Sequence, residues 1–197
     1  SQRLGINEVP RALAQGDVQG DEVGAAQDFF ERNPREPELA FHVRHMPGGR
    51  TSAYVAMQLR VGDEVKVSGP LGISYLRDGH RGPVLLAAGG SGLAPIESIL
   101  RTLLARGHPA PVRLYFGVRS ERDVYHHALL QELAARHPNF SFEIVPGPLH
   151  ERMELESADA MAYLAGPPGM VEAATAELAA RGLAPRRIHA DAFYDQA

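Results

Sequence analysis

Val84-Leu85-Leu86-Ala87-Ala88-Gly89-Gly90-Ser91-Gly92-Leu93-Ala94-Pro95-Ile96 decides how this chain folds. Five apolar residues run straight into a cluster of three glycines, and a helical pattern from Ile96 to Arg106 follows. A wholly apolar run of this length reads as a strand buried on both faces of a parallel sheet. Gly89, Gly90 and Gly92 let the backbone turn sharply and approach a ligand without a Cβ in the way. Pro95 suits the first turn of the helix, where its missing N–H costs nothing. The unpaired N–H groups of that turn favour an anion such as a pyrophosphate. The stretch therefore reads as a nucleotide-binding turn, although its glycines lack the spacing of the G-x-G-x-x-G fingerprint.

The rest of the C-terminal half supports a parallel sheet. Val112–Phe116, Phe140–Val145, Met161–Leu164 and Ile188–Ala190 are further strand candidates. Ile96–Arg106, Tyr125–Arg136 and Met170–Arg181 are the helix candidates between them, with Gly107 and Gly182 placed to end two of them. Alternation of strand and helix predicts an α/β domain, a doubly wound parallel sheet of five strands over residues 82–197. Ligands of such sheets bind beyond the strand C-termini, at a topological switch point. Gly89–Pro95 and Gly166-Pro167-Pro168-Gly169 lie at two such ends. Residues 146–160 carry no clear pattern.

The N-terminal part has another texture. Residues 1–38 are polar, and Asp21–Arg32 reads as a helix with Val23, Ala26, Phe29 and Phe30 on one face. Leu39–Arg44 and Glu64–Ser68 read as short strands, and Ser52 as the cap of a short helix through Leu59. Short strands between turns suit part of a small antiparallel barrel.

Composition narrows the chemistry. The chain has 197 residues, 44% of them hydrophobic, and a net charge of −4, which points away from nucleic acid and anionic membranes. No apolar run reaches spanning length and no leader pattern is visible, so a soluble cytoplasmic protein is expected. Cysteine is absent, which removes thiol nucleophiles and cysteine-ligated zinc or iron–sulfur clusters from these residues. His42-x-x-His45 and His126-His127 hint at metal. However, the first pair alternates awkwardly on a strand, the second lies side by side on a helix and diverges, and no acidic or cysteine partner is placed to complete a site. No metal ligand is assigned.

From residue 39 onward the chain resembles the ferredoxin–NADP reductase superfamily, in particular the FAD- and NAD-binding portion of reductases that serve bacterial aromatic-ring dioxygenases. The segments that carry the likeness are Phe41-His42-Val43-Arg44 with Pro47-Gly48-Gly49-Arg50-Thr51-Ser52, Val61-Gly62-Asp63 with Ser68-Gly69-Pro70-Leu71-Gly72, and Ala88–Pro95. Leu114–Ser120, Tyr163–Val171 and His189–Tyr194 complete it. They stand in the family's order.

The resemblance implies a barrel-type flavin domain over residues 1–81, atypical over 1–38, before the nucleotide domain. It implies hydride transfer from NADH, with NADPH less favoured, to bound FAD. Electrons then pass singly to an iron–sulfur ferredoxin or oxygenase component on another chain or domain. By the same likeness Gly89, Gly90, Ser91, Gly92, Ala94 and Pro95 hold the nicotinamide nucleotide. Gly117, Val118, Arg119 and Asp123 meet its phosphates and ribose, Asp123 favouring a 2′-hydroxyl over a 2′-phosphate. Gly166, Pro167 and Pro168 flank the nicotinamide beside Ala165, where many relatives have cysteine. His42, Val43 and Arg44 run beside the flavin, and Gly48, Gly49, Arg50, Thr51 and Ser52 bind its pyrophosphate. Asp191, Phe193 and Tyr194 approach the flavin, and Ser91, Ala165 and Asp191 stand nearest the hydride transfer.

One departure bears on the flavin. The family's Arg-x-Tyr-Ser segment aligns with Gln27-Asp28-Phe29-Phe30, where Phe29 keeps an aromatic but Gln27 lacks the charge and Phe30 the hydroxyl. The first barrel strands are also not recognisable in residues 1–26. Two further readings therefore stand beside the reductase: a flavin-deficient, non-catalytic nucleotide-binding module, and a reductase that uses free flavin as a substrate.

Overall fold

The computed structural model describes residues 41–46, 48–65 and 74–193. The expected helix at Asp21–Arg32, and with it Phe29, lies outside the described residues, as does Tyr194. The first described element is α1 (Arg50–Met57). The nucleotide domain then runs β1 (Val84–Gly89), α2 (Leu93–Ala105), β2 (Val112–Val118), α3 (His127–Arg136), β3 (Phe140–Pro146), α4 (Leu149–Arg152), β4 (Met161–Gly166), α5 (Pro168–Ala180) and β5 (Ile188–Ala192).

All five strands pair in parallel in the order β3-β2-β1-β4-β5. The doubly wound sheet is thus as expected, and the order reverses between β1 and β4. Every residue of β1 is buried, because β1 is the central strand with packing on both faces. Strand alternation divides the core. Val84, Leu86 and Ala88 face Ile96, Leu100, Leu103 and Leu130 from α2 and α3. Leu85 and Ala87 face Leu149 of α4, Met153 just after it, and Val171, Ala174 and Leu178 of α5.

Helix ends follow local chemistry. The His108 N–H bonds to the Leu103 carbonyl and the Gly107 N–H to the Leu104 carbonyl, and Gly107 has φ +65°. The same pair of bonds links Leu183 to Leu178 and Gly182 to Ala179 at the end of α5. Both are Schellman motifs, which close the last carbonyls of each helix.

Four expectations change. Residues 41–44, the described part of the strand expected at Leu39–Arg44, take no regular secondary structure, and neither do Glu64 and Val65. Helix α1 begins at Arg50 with Gly49 as its N-cap, so Ser52 lies inside the helix, its hydroxyl accepting from the Met46 N–H at 3.1 Å. Residues 149–152 form a helix because Leu149 anchors them in the core, a tertiary contact that local polarity hides. Helix α3 starts at His127, not Tyr125, since His126 sits in the left-handed region at φ 56°. The barrel strands expected before residue 81 are not among the described residues.

Candidate functional site

A cleft of about 510 Å³ opens at the C-terminal ends of β1 and β2, within the usual size of small-molecule sites. Gly89, Gly90 and Ser91 form one wall, Gly117, Val118, Arg119 and Asp123 a second. His42, Val43 and Arg44 of the N-terminal segment close it from the other side, with Val55 and Ala56 of α1. Pro167 and Met170 line the end nearest β4. Eleven of the expected site residues, His42–Arg44 among them, therefore share one cavity with Val55 and Ala56 of α1.

Two glycines make this end of the sheet possible. Gly90–Gly92 form a 3₁₀ turn that continues into α2, so the N–H groups opening the element belong to the glycine turn. Gly92 packs directly on β4: a Cβ there would lie 2.5 Å from the Ala165 carbonyl carbon and 2.8 Å from Gly166 Cα. Gly166 has φ +146°, open only to glycine, and a Cβ on it would meet the Gly89 backbone at 2.9 Å. Three backbones thus converge at the switch point.

Other expected residues lie outside the cleft. Gly92, Ala94 and Pro95 are buried behind its wall. The Ala165 side chain is fully buried in the core, its backbone in register with Ala88 and Asp191. Asp191 accepts from the Ser74 hydroxyl at 2.7 Å and does not reach Ser91's cavity. Phe193 donates its N–H to the Gly166 carbonyl at 2.9 Å and packs on the core. Gly48, Gly49, Arg50, Thr51 and Ser52 gather at the start of α1, beside the cleft. Pro168 begins α5.

The structure also gathers residues that sequence reading left apart. The Tyr125 hydroxyl donates to the Gly90 carbonyl at 3.2 Å and meets His42 Nδ1 at 3.0 Å. Its own proton is spent on Gly90, so it accepts from His42, whose Nδ1 carries the hydrogen. Glu97, 2% exposed, accepts from Arg101 Nε at 2.9 Å and from His126 Nδ1 at 2.6 Å. The sequence expectation that no acidic side chain accompanies the histidines is corrected here: α2 delivers Glu97 from 29 residues upstream of His126. The signal was available, because Glu97 sits on the apolar stripe of Leu93, Ile96 and Leu100.

Electrostatics follow from this burial. Desolvation lowers the His42 pKa to about 4; the Glu97 charge opposes the fall, while His126 and Arg101 add to it. Burial alone would raise the Glu97 pKa, but the hydrogen bond from His126 and the charges of His126 and Arg101 hold it below the ordinary glutamate value. Burial, then the Glu97 charge, raises Tyr125 far out of reach of ionisation.

A pH dependence follows for His42. Its folded pKa lies below the unfolded value of 6.5, so the stability that neutral His42 contributes is complete above pH 6.5 and falls as pH drops towards about 4. Lowering pH from 7 to 5 is expected to remove about 2 kcal/mol through this group. Urea unfolding at the two pH values measures it, and His42→Gln should flatten that difference.

A parallel sheet of this order, with a glycine turn at its switch point and a cleft beyond it, defines a dinucleotide-binding domain. Residues 86–176 match the family "Oxidoreductase NAD-binding domain", and the chain belongs to the ferredoxin–NAD(P) reductase superfamily. It is 43% identical over 175 residues to the ferredoxin–NAD(P)(+) reductase component of the naphthalene 1,2-dioxygenase system of Pseudomonas putida, covering 82% of this chain and 53% of that protein. A reductase component of naphthalene 1,2-dioxygenase/salicylate 5-hydroxylase systems from Ralstonia is 45% identical with the same coverage. Among solved structures, an Amycolatopsis cytochrome P450 reductase superposes with a TM-score of 0.73 at 38% identity, over 79% of this chain and 52% of that one. The chain thus spans about half the length of the curated relatives it matches. Among the described residues, no helix is long and apolar enough to cross a membrane.

Proposed function

We propose that this chain is the flavin- and nicotinamide-binding part of a cytoplasmic NADH-dependent reductase that delivers electrons to an iron–sulfur ferredoxin or an oxygenase component on another chain or domain. The observation that carries the reading is the single cleft in which the Gly89–Ser91 turn and Gly117–Arg119 face His42–Arg44. Residues 82–197 would be the NAD-binding domain and residues 1–81 the flavin side. The names of the relatives, reductase components of dioxygenase systems, support it.

The residues present fit both cofactors at the cleft. The glycine turn offers N–H groups to a pyrophosphate without side chains in the way. Arg119 adds a guanidinium suited to phosphate oxygens. Arg44 lies close to Gly90, where an added Cβ would be 3.7 Å from its Nη1, and it supplies charge between the two walls. Gly48–Ser52 would hold the flavin pyrophosphate at the start of α1. FAD and NADH would themselves supply the hydride and one-electron chemistry, and the chain's part is to bind and orient them. The Tyr125 bridge from Gly90 to His42 holds the nicotinamide turn against the flavin-side segment.

Asp123 would set the choice of dinucleotide. Its Oδ2 accepts from the Ser120 N–H at 2.9 Å and hydroxyl at 3.0 Å, which fixes the carboxylate at the cleft. A fixed negative charge there disfavours a 2′-phosphate. Asp123→Asn keeps an oxygen for Ser120 and removes the charge. NADPH should then gain about tenfold in kcat/KM relative to NADH, near the size of one like-charge contact at about 4 Å in water. An unchanged ratio would remove Asp123 from the ribose site.

The test of the whole reading uses the purified chain after incubation with FAD. A yellow protein that reduces ferricyanide with NADH is expected; a colourless protein without turnover sinks the proposal. Gln27 and Phe30 favour the flavin-deficient module as the second reading, and that outcome is the one it requires. Turnover that rises only with added free flavin would identify flavin as substrate.

A further inference from the structure

We propose that His42, Glu97 and His126 form a binding site for a divalent transition-type cation, of which zinc and cobalt are the probes. The three residues come from the 41–46 segment, from α2 and from the N-cap of α3, and one ligand atom of each lies within 4.8 Å of the others. The inference does not depend on the reductase reading.

The donor set selects the ion class. Two imidazoles and one carboxylate suit zinc, cobalt or nickel and disfavour magnesium and calcium, which take oxygen ligands. Three protein ligands leave further coordination positions for water. Both histidines line the cleft, so those positions open towards it.

The ring orientations are already set. The Tyr125 hydroxyl accepts from His42 Nδ1, which leaves the lone pair of that ring on Nε2. A hydrogen bond of this kind on the far nitrogen is what orients a metal-ligating histidine. Arg101 engages Oε1 of Glu97 and leaves Oε2 turned towards His126. His126 is the only non-glycine residue with positive φ among the described residues. That backbone turn takes its ring off the α3 axis and back onto Glu97. Such a conformation persists only where the surroundings impose it.

Occupancy requires small movements. Ligand atoms around one tetrahedral ion, each at about 2.0–2.2 Å from it, stand roughly 3.3–3.6 Å apart. His126 Nδ1 and Glu97 Oε2, now 2.6 Å apart, must open to that spacing. The ion takes the place of the hydrogen on His126 Nδ1, and His126 then carries its proton on Nε2. The fixed charge of Arg101 works against a cation, so affinity below that of closed structural zinc sites is expected.

The full chain, stripped with chelator, is titrated with zinc by calorimetry and with cobalt by visible absorption. One equivalent should bind, cobalt should give the bands of a four-coordinate site with nitrogen ligands, and magnesium should not compete. His42→Gln, Glu97→Gln and His126→Gln should each weaken zinc binding about 100-fold, while His80→Gln, at a distant histidine, should not. Circular dichroism verifies that each variant folds, and X-ray absorption of the one-equivalent zinc complex should report two imidazoles. Absence of stoichiometric binding by the unaltered chain overturns the site. So does binding that survives His42→Gln and Glu97→Gln, or an absorption edge without two imidazoles.

Discussion

Gly92→Ala is expected to destabilise the domain by about 3 kcal/mol or more and to abolish most nicotinamide binding. The backbone angles of Gly92, φ −60° and ψ −11°, suit alanine, so the cost is purely steric. The new Cβ would lie 2.5 Å from the Ala165 carbonyl carbon and 2.8 Å from Gly166 Cα. Those atoms are backbone of β4, which pairs with β1 on one side and β5 on the other and cannot retreat. Helix α2 must move off the sheet instead, carrying the Gly90–Gly92 turn away from the cleft. A displacement of about 1 Å at such a turn costs on the order of a hundredfold in turnover. Urea unfolding and an NADH titration read the two effects. Gly169→Ala is the control: a Cβ there meets nothing within 4 Å, and the residue lies in the first turn of α5. It should be neutral or slightly stabilising. Equal behaviour of the two variants would refute the packing argument.

Glu97→Ala should cost about 3 kcal/mol, near the lower end for breaking a buried ion pair. The side chain is nearly fully buried and holds both Arg101 and His126. Its loss leaves Arg101 without its counter-charge and His126 Nδ1 without its hydrogen-bond acceptor. The cost stays moderate because Arg101 is 39% exposed and can turn to water. The sign with pH is fixed. The folded pKa of Glu97 lies below its unfolded value, so its contribution is present above about pH 4.5 and is lost as pH falls through the folded pKa. Glu97→Ala should therefore be most harmful at neutral pH and least harmful in acid. A double-mutant cycle with His126→Ala isolates the pair, and a coupling near zero would show that Glu97 acts only by filling space.

Much of the fold was legible locally. The uninterrupted apolar run Val84–Ala88 marked the central strand, because such a strand is covered on both faces, and the alternation of strand and helix patterns marked the rest of the sheet. Gly107 and Gly182 marked two helix ends, because a Schellman turn needs a residue tolerant of positive φ. The site was legible in part. Gly89, Gly90 and Ser91 stand at the cleft as their position after a buried strand implied. Ala165 and Asp191 do not reach it, since strand alternation and pairing turn one into the core and the other towards Ser74. Helix α3 starts two residues later than the local pattern implies, because nothing in Tyr125-His126-His127 signals a left-handed residue.

By itself the sequence determined a five-stranded α/β domain with a glycine turn placed for a dinucleotide. Periodicity and turn chemistry are properties of neighbouring residues, so they can be read along the chain. Only the tertiary structure decided that His42, Glu97, Tyr125 and His126 meet. Their contacts span up to 83 residues and depend on how α2 and α3 pack on the sheet, on the buried charge of Glu97, and on one positive φ at His126. No local pattern encodes such a meeting, because the free energy that holds it comes from burial shared across the whole core.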